Sequence, residues 1–475
     1  MTASENSSEK KTIRDVPVIN QKPQLFLADD YFVEHVDRLE LSIGQVQKYP
    51  GNPVLTADLP WEGKALSYPC AFYDAEESLY KMWYEVRPID DLGAACYAIS
   101  RDGLNWEKPK LGVVRYQNST ANNLVFALPK KGRRHKVFWV VKDYAEADQQ
   151  KRYKMLYHLW DFRGRGVGVA HSPDGIHWSA SPFSVLQGTF DTHNVMFWDD
   201  RIGQFAGYFR MNDYGVRHIS RATSSDGFHW SEPEWVHGPD LEDGPERDLY
   251  TPGIFKYSAA ENVYVMITAA WDRYPADKFV AQLGLSRNGI SWQRFRDPFI
   301  RHGGPGSWDE GAIVTSPSEL LVQGKLAFYY LGSQYAHPAT KPGSLTEAIG
   351  LAFMRPDQFV GYRAVERPGL LNTRPMQFGR VLGPHSLGDE YGWFSLNLDL
   401  NGGEARVEIT DTQGRPYPEY TFADCHPLRS SGRTEIVTWQ KRKSLSSLRG
   451  KRLKFKIQVS RGTLYGFRVR FHKDR

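Results

Sequence analysis

Between about residue 66 and residue 354 the chain alternates short apolar runs with polar, glycine-bearing breaks. Residues 80–84 read Tyr-Lys-Met-Trp-Tyr, 95–99 read Ala-Cys-Tyr-Ala-Ile, and 281–285 read Ala-Gln-Leu-Gly-Leu. Alternation with period two predicts half-buried strands, and the runs at 167–170 and 218–222 read the same way. Strong helical periodicity is absent. Each strand is followed by one recurring phrase, Ser-x-Asp/Asn-Gly-x-x-Trp, which begins at Ser100, Ser172, Ser224 and Ser286 and ends at Trp106, Trp178, Trp230 and Trp292. Asp-Gly and Asn-Gly tolerate positive φ and are strong hairpin signals. The Trp is a large apolar plug. Strand, hairpin and plug recurring through one chain predict a repeat architecture, the blades of a β-propeller.

The strand runs group into five blades. The Tyr-Lys-Met of residues 80–82 returns at 153–155, within one residue of the same distance ahead of its hairpin. The fifth blade ends in Arg355-Pro-Asp-Gln-Phe359, which has lost the Gly and Trp; terminal repeats meet different neighbours and degenerate. Residues 23–365 are therefore expected to form a five-bladed propeller, with 24–34 as a strand that closes the ring. Beyond about Pro375 the runs at 394–400, 405–410, 452–459 and 465–471 alternate strictly without the hairpin phrase. They predict a β-sandwich in residues 366–475; the Pro- and Arg-rich stretch 363–380 reads as the connection. Residues 1–22 are polar, without apolar period, and read as disordered. The fold class is all-β.

Composition narrows the function. Trp, Tyr and Phe number 14, 25 and 25, which suits turns, cores and sugar-stacking surfaces alike. The net charge is only +5, with basic residues dispersed apart from the run at 130–134. That argues against nucleic acid as a partner. The basic tail (residues 441–454) alternates with apolar positions as a solvated sheet face would. Three distant cysteines imply neither a disulfide framework nor a metal site. No apolar leader or membrane-length run is visible, so no membrane partner and a cytoplasmic location are expected of the chain as it stands, with a secreted or periplasmic location the alternative if a leader has been removed.

In a propeller the inner strand of each blade lines the channel, so polar residues just ahead of the inner strands converge at one mouth. The repeat locates these lead-ins. They are Tyr68, with Glu62 and Ser67, in blade 1 and Asn123, with Asn122, in blade 2. Blade 3 contributes Asp191 and His193. Blade 4 has Glu246, Asp248 and Tyr250; blade 5 has Trp308, Asp309 and Glu310. Three successive lead-ins carry carboxylates. Cleaving a glycosidic bond requires one acid to protonate the leaving oxygen and another to activate water or attack the sugar. Asp191, Asp248 and either Glu310 or Asp309 are the candidate acid/base group, with Glu310 placed ahead of Asp309. His193, Arg210, Glu246, Tyr250, Trp271, Trp308, Asn123 and Tyr68 are the candidate sugar contacts. The repeated Asp102, Asp174 and Asp226 read as turn formers. No metal-ligand motif is legible and no cofactor is predicted, although the channel leaves room for a calcium or magnesium ion.

The hairpin phrase, the Tyr80-Lys-Met-Trp-Tyr84 strand and the Asn52-Pro-Val-Leu55 lead-in resemble those of the five-bladed propeller glycoside hydrolases. That superfamily includes families 32, 43, 68 and 117, with the family 130 glycoside phosphorylases. The resemblance covers about residues 24–365, and the following sandwich looks like that of family 32. It implies an exo-acting enzyme with three essential acids. The acid those families carry at the start of the first blade has no counterpart in residues 65–70, which read Ala-Leu-Ser-Tyr-Pro-Cys, unless Glu62 or Asp30 takes its place. The expected function is a glycoside hydrolase that removes terminal sugars from an oligo- or polysaccharide. The alternatives are a glycoside phosphorylase and a non-catalytic carbohydrate-binding propeller. The expected partner is a carbohydrate substrate; oligomeric state stays open.

Overall fold

The computed structural model describes residues 18–19, 22–27, 29–86, 93–127, 137–274, 277–316, 318–335, 347–378, 392–448 and 450–471. The basic run at 130–134 and most of residues 1–22 lie outside them. The described chain is all-β, with no α-helix and only isolated 3-10 turns. No helix in it is long and apolar enough to cross a membrane. The chain forms two compact units, one of residues 43–258 and 262–356, the other of 1–42, 259–261 and 357–475.

The first unit is a ring of five antiparallel blades. Blade 1 is Leu66–Asp74, Leu79–Val86, Ala94–Ser100 and Leu124–Ala127, paired in that order. Blade 2 is Val137–Lys142, Tyr153–Asp161 and Gly164–Ser172, with the short outer pieces Ser179–Ala180 and Leu186–Gln187. Blade 3 is Val195–Asp199, Gln204–Asp213, Val216–Ser224 and Glu234–His237. Blade 4 is Arg247–Thr251 with Ile254–Lys256, then Tyr264–Asp272, Lys278–Ser286 and Gln293–Ile300. Blade 5 is Ala312–Thr315, Lys325–Ser333 and Glu347–Met354. Its outer strand is Gln47–Lys48, which pairs Lys48 with Ala352 and Gln47 with Phe353.

The ring is therefore closed by residues 47–48, and the expected closing strand at 24–34 belongs to the other unit, where Gln24–Leu25 pairs with Gly466 and Phe467. A second expectation also shifts. Residues 124–127 are the outer strand of blade 1, so Asn122 and Asn123 do not lead into blade 2; the true lead-in, 128–136, lies outside the described residues.

The hairpin phrase works as a staple. Gly103, Gly175, Gly227 and Gly289 sit at φ between 71° and 80°, a region open to glycine at no steric cost. In each copy the Ser Oγ accepts the Gly N–H at 2.8–2.9 Å. The Asp or Asn side chain accepts the next two N–H groups. Three of the glycine carbonyls then accept a donor from the preceding blade. Trp83 Nε1 reaches Gly175 at 2.8 Å, Tyr208 Oη reaches Gly289 at 2.9 Å, and Tyr329 Oη reaches Gly103. The repeated aspartates are turn formers, as their spacing indicates.

The second unit is a sandwich. One sheet contains Gly392–Leu400, Gly462–Phe471 and Val360–Ala364; the other contains Ala405–Thr410, Arg452–Val459 and Gly369–Thr373. Phe394 and Phe455 stack across the sheets at 4.4 Å in a core with Leu396, Ile457 and Phe467. The stretch read as a connection supplies two of its strands, Gly369–Thr373 and Met376–Phe378, and the end of a third, Val360–Ala364. Val18–Ile19, within the segment read as disordered, pairs with Gln377 and Phe378.

Candidate functional site

Each blade is a meander, so the lead-in to its inner strand and the turn between its second and third strands lie at the same end of the channel. Backbone bridges between blades place this end for the whole ring. Arg217, opening the third strand of blade 3, donates its N–H to Asp248, opening the inner strand of blade 4. Phe279 pairs in parallel with Ala312 across blades 4 and 5, and Ala65 with Glu347 across blades 1 and 5. The stapling hairpins follow the third strands and so occupy the opposite end. The candidate acids gather at the first end.

Blades 3 and 4 hold the densest group. Asp248 is fully buried and accepts both the backbone N–H and the Nη1 of Arg217, at 2.9 and 2.7 Å, with Arg273 Nε at 3.5 Å. Asp191, on the preceding lead-in, is 42% exposed and has Arg210 Nη2 at 3.2 Å. The guanidinium groups of Arg210 and Arg217 lie over one ring, that of Tyr250, at 5.3 and 5.7 Å. Asp191 and Asp248 are thus linked through two cations and a shared aromatic. Arg210 is itself buried, and its Nε has no hydrogen-bond acceptor among the described residues. Trp271 forms the adjacent wall, stacked on Phe279 at 5.5 Å, under Arg217, and anchored by Nε1 to Asp277. Glu246 is half-exposed and lies 3.4 Å from Arg273.

Deeper, His193 is fully buried between Tyr68 and Trp139, with ring centroids 5.4 Å away in both cases. Its Nδ1 lies 3.4 Å from Ser316 Oγ. Tyr68 accepts Thr192 Oγ1 at 2.9 Å and has φ of 48°, a left-handed conformation unusual for a non-glycine residue. It sits where the pairing of Leu66–Asp74 slips between Ser67 and Cys70, a bulge that turns the ring onto His193.

In blade 5 the two adjacent acids separate. Asp309 is buried and receives Lys48 Nζ at 2.5 Å and Tyr330 Oη at 2.9 Å. Burial, followed by the Asp309 charge, pushes the Tyr330 hydroxyl far above its ordinary pKa. Glu310 turns back on its own loop and accepts the Gly306 N–H at 2.6 Å. The inward acid is Asp309, not the Glu310 placed ahead of it by sequence, because the segment is a turn and not an extended strand.

Some candidates are committed elsewhere. Asn123 accepts Trp61 Nε1 and donates to Tyr84 Oη and the Tyr97 carbonyl, which uses its amide on both sides. Glu62 accepts the N–H groups of residues 58 and 59, Lys108 and Tyr84. Trp308 stacks on Tyr330 at 5.8 Å and covers Gly332 and Gly350, where any Cβ would collide with its ring. These three brace the loops.

Other groups at this end escape a search of the lead-ins because they sit on second and third strands or on the turn between them. They include Arg217 and Arg273, as well as two buried glutamates, Glu85 and Glu347. Glu85 pairs across the sheet with Ser67, whose hydroxyl donates to Glu347. A buried carboxylate therefore does stand beside the start of blade 1, contributed by a different strand. Among the described residues no group of three or more His, Cys, Asp or Glu is arranged to hold a metal ion.

No family model matches the chain, and no curated protein matches it. Solved structures do. A structure described as a glycoside hydrolase has a TM-score of 0.47 at 15% identity, over 66% of this chain and 93% of the other. One from the GH130 family of mannoside phosphorylases, described as containing glycoside hydrolases that target β-1,2 mannosidic linkages in Candida mannan, has a TM-score of 0.45 at 15% identity, over 66% and 95%. An N-acetylgalactosamine deacetylase from F. plautii, in complex with blood group B trisaccharide, has a TM-score of 0.45 at 15% identity, over 68% and 97%.

Proposed function

We propose that the propeller is a carbohydrate-active enzyme, a glycoside hydrolase that removes a terminal sugar at this mouth by carboxylate acid/base catalysis. The observation that carries the reading is the pair Asp191 and Asp248, held by Arg210 and Arg217 around the single ring of Tyr250. Glycosidic cleavage builds positive charge at the anomeric carbon and negative charge on the leaving oxygen, so it needs a fixed anion and a reachable proton donor. Asp248, buried and clamped on both sides, is the fixed anion. Asp191, half-exposed with one cation beside it, is the group a substrate reaches. Asp309 is the third acid, tethered by Lys48 and Tyr330. Tyr250 and Trp271 wall the sugar, while His193 and Arg210 offer hydrogen bonds to its hydroxyls.

The test is turnover of a panel of aryl glycosides and oligosaccharides by Asp191→Ala and Asp248→Asn. Each is expected to lower kcat/KM by about 100-fold or more, the scale of a lost general acid or base. Full activity in both variants overturns the assignment.

Arg210 favours one second reading, phosphorolysis. A buried guanidinium with an unused Nε beside two more arginines suits an oxyanion as well as a sugar hydroxyl. Under that reading turnover requires inorganic phosphate and yields a sugar phosphate; under hydrolysis phosphate is without effect.

A further inference from the structure

The same end of the ring carries the most exposed aromatic side chains of the propeller, and they recur at one structural position. The turn between second and third strands holds Phe162 in blade 2, Tyr214 in blade 3 and Tyr274 in blade 4, at 83%, 106% and 75% exposure. Among the described residues at the opposite end, the most exposed large apolar side chain is Tyr144, at 55%. Two of the three tips are two-residue turns: Asp161 pairs with Gly164, and Asp213 with Val216. Tyr214 and Gly215 both have positive φ, the geometry that matches strand twist, so the ring is held out on a stiff tip. Phe162 is braced further by Phe183, edge-on at 5.7 Å, with Arg163 over both rings.

We infer that this rim is a binding track for a carbohydrate polymer running across blades 2, 3 and 4. The inference rests on the carbohydrate reading above and adds the substrate class, a long chain and not a short glycoside. Sugar rings present apolar C–H faces edged by hydroxyls, and they match isolated aromatic rings set among hydrogen-bonding groups. Each tip has that makeup. Beside Phe162 lies Arg163 paired with Asp161, beside Tyr214 lies Asp213 near His218, and beside Tyr274 lies Arg273 with Glu246. A protein partner would call for contiguous apolar area. A nucleic acid would call for unpaired positive charge, whereas Arg163, Arg217 and Arg273 are each matched by a carboxylate. The terminal sugar enters beside Asp191, and the rest of the chain lies over the three tips.

The experiment is native electrophoresis of the full chain through gels containing yeast mannan, arabinan, levan or pullulan, with single-stranded RNA as a fifth probe. The wild type is expected to be retarded by at least one polysaccharide. Phe162→Ser, Tyr214→Ser and Tyr274→Ser should each weaken retention roughly three- to tenfold, the scale of one lost ring contact, and the triple variant should abolish it. Tyr144→Ser, at the other end, should behave as wild type. Turnover of aryl glycosides should be unchanged in the triple variant, whereas Asp248→Asn should lose turnover and keep retention. Equal retention of the triple variant and the wild type overturns the track, as does no retention in any polysaccharide gel or retention by RNA alone. Failure of the catalytic reading is separate: it shows as unchanged aryl-glycoside turnover in the Asp191 and Asp248 variants.

Discussion

Asp309 and Glu310 are neighbours in sequence with opposite fates, and the cause is what each carboxylate finds within reach. Asp309 has Lys48 and Tyr330; Glu310 has a backbone N–H of its own loop. Asp309→Asn is therefore expected to lower kcat/KM by about tenfold or more, whereas Glu310→Gln stays within about twofold of wild type; steady-state kinetics on one responsive glycoside separates them. Acid sensitivity also has a residue-level origin. His237 is held down to about 4 from 6.5, by burial first and the Arg294 charge second. Burial lowers His218 and His302 too. A depressed histidine favours the fold while neutral, so its stabilisation is complete above pH 6.5 and is lost as pH falls towards about 4. His237 contributes at most about 3 kcal/mol. Thermal unfolding from pH 7 to pH 4 should show a falling Tm, and His237→Gln should flatten part of that slope. The lead-in acids were legible because the repeat is a ruler. Glu85, Glu347 and Arg217 were not, because a strand position does not say which sheet will face it.

At the scale of the element, the stapling hairpin explains why its glycine is invariant among the four copies while the third position accepts Asp or Asn. A Cβ on Gly175 would lie 2.7 Å from the Trp83 ring, in a backbone region that side chains rarely adopt. Gly175→Ala should therefore destabilise the propeller by about 2 kcal/mol or more, seen as a lower urea midpoint, without selective loss of kcat. The lysine of the first Tyr-Lys-Met strand, Lys81, is buried beside a second lysine, Lys142, that lies outside the phrase. Lys81 reaches Asp74 at 2.9 Å, and Lys142 from blade 2 reaches the same carboxylate at 2.8 Å, with Tyr153 donating a third bond. Asp74 is held well below its ordinary pKa; burial opposes this shift, but the hydrogen bonds from Lys142 and Lys81 outweigh it. Asp74→Ala leaves two buried ammonium groups without their common partner and should reduce stability by about 3–5 kcal/mol. The echo of Tyr-Lys-Met was visible in the sequence; that a lysine outside it, Lys142, ties blade 2 to the Asp74 beside Lys81 was not, because Asp74 and Lys142 carry no repeat of their own.

For the molecule as a whole, the fold class and the number of blades were legible, because strand, hairpin and plug recur at local spacing. Ring closure was not. It depends on a two-residue strand, Gln47–Lys48, meeting a strand that begins some three hundred residues later. Two residues carry too little pattern to announce a strand, and the more apolar stretch at 24–34 reads better while pairing elsewhere. The closure also sets the site, since the strand that seals blade 5 carries Lys48 to Asp309. Tyr49→Pro and Lys48→Met separate the two roles. Proline at residue 49 removes the N–H that bonds the Leu351 carbonyl at 2.8 Å. It should lower stability by about 1–3 kcal/mol and, by loosening the strand, reduce turnover as well. Lys48→Met keeps the strand and removes only the cation, so turnover should fall while blade 5 stays protected in hydrogen exchange. If Tyr49→Pro left turnover intact while exposing blade 5 to exchange, closure and site would be independent, and Lys48 would reach Asp309 without the strand that carries it.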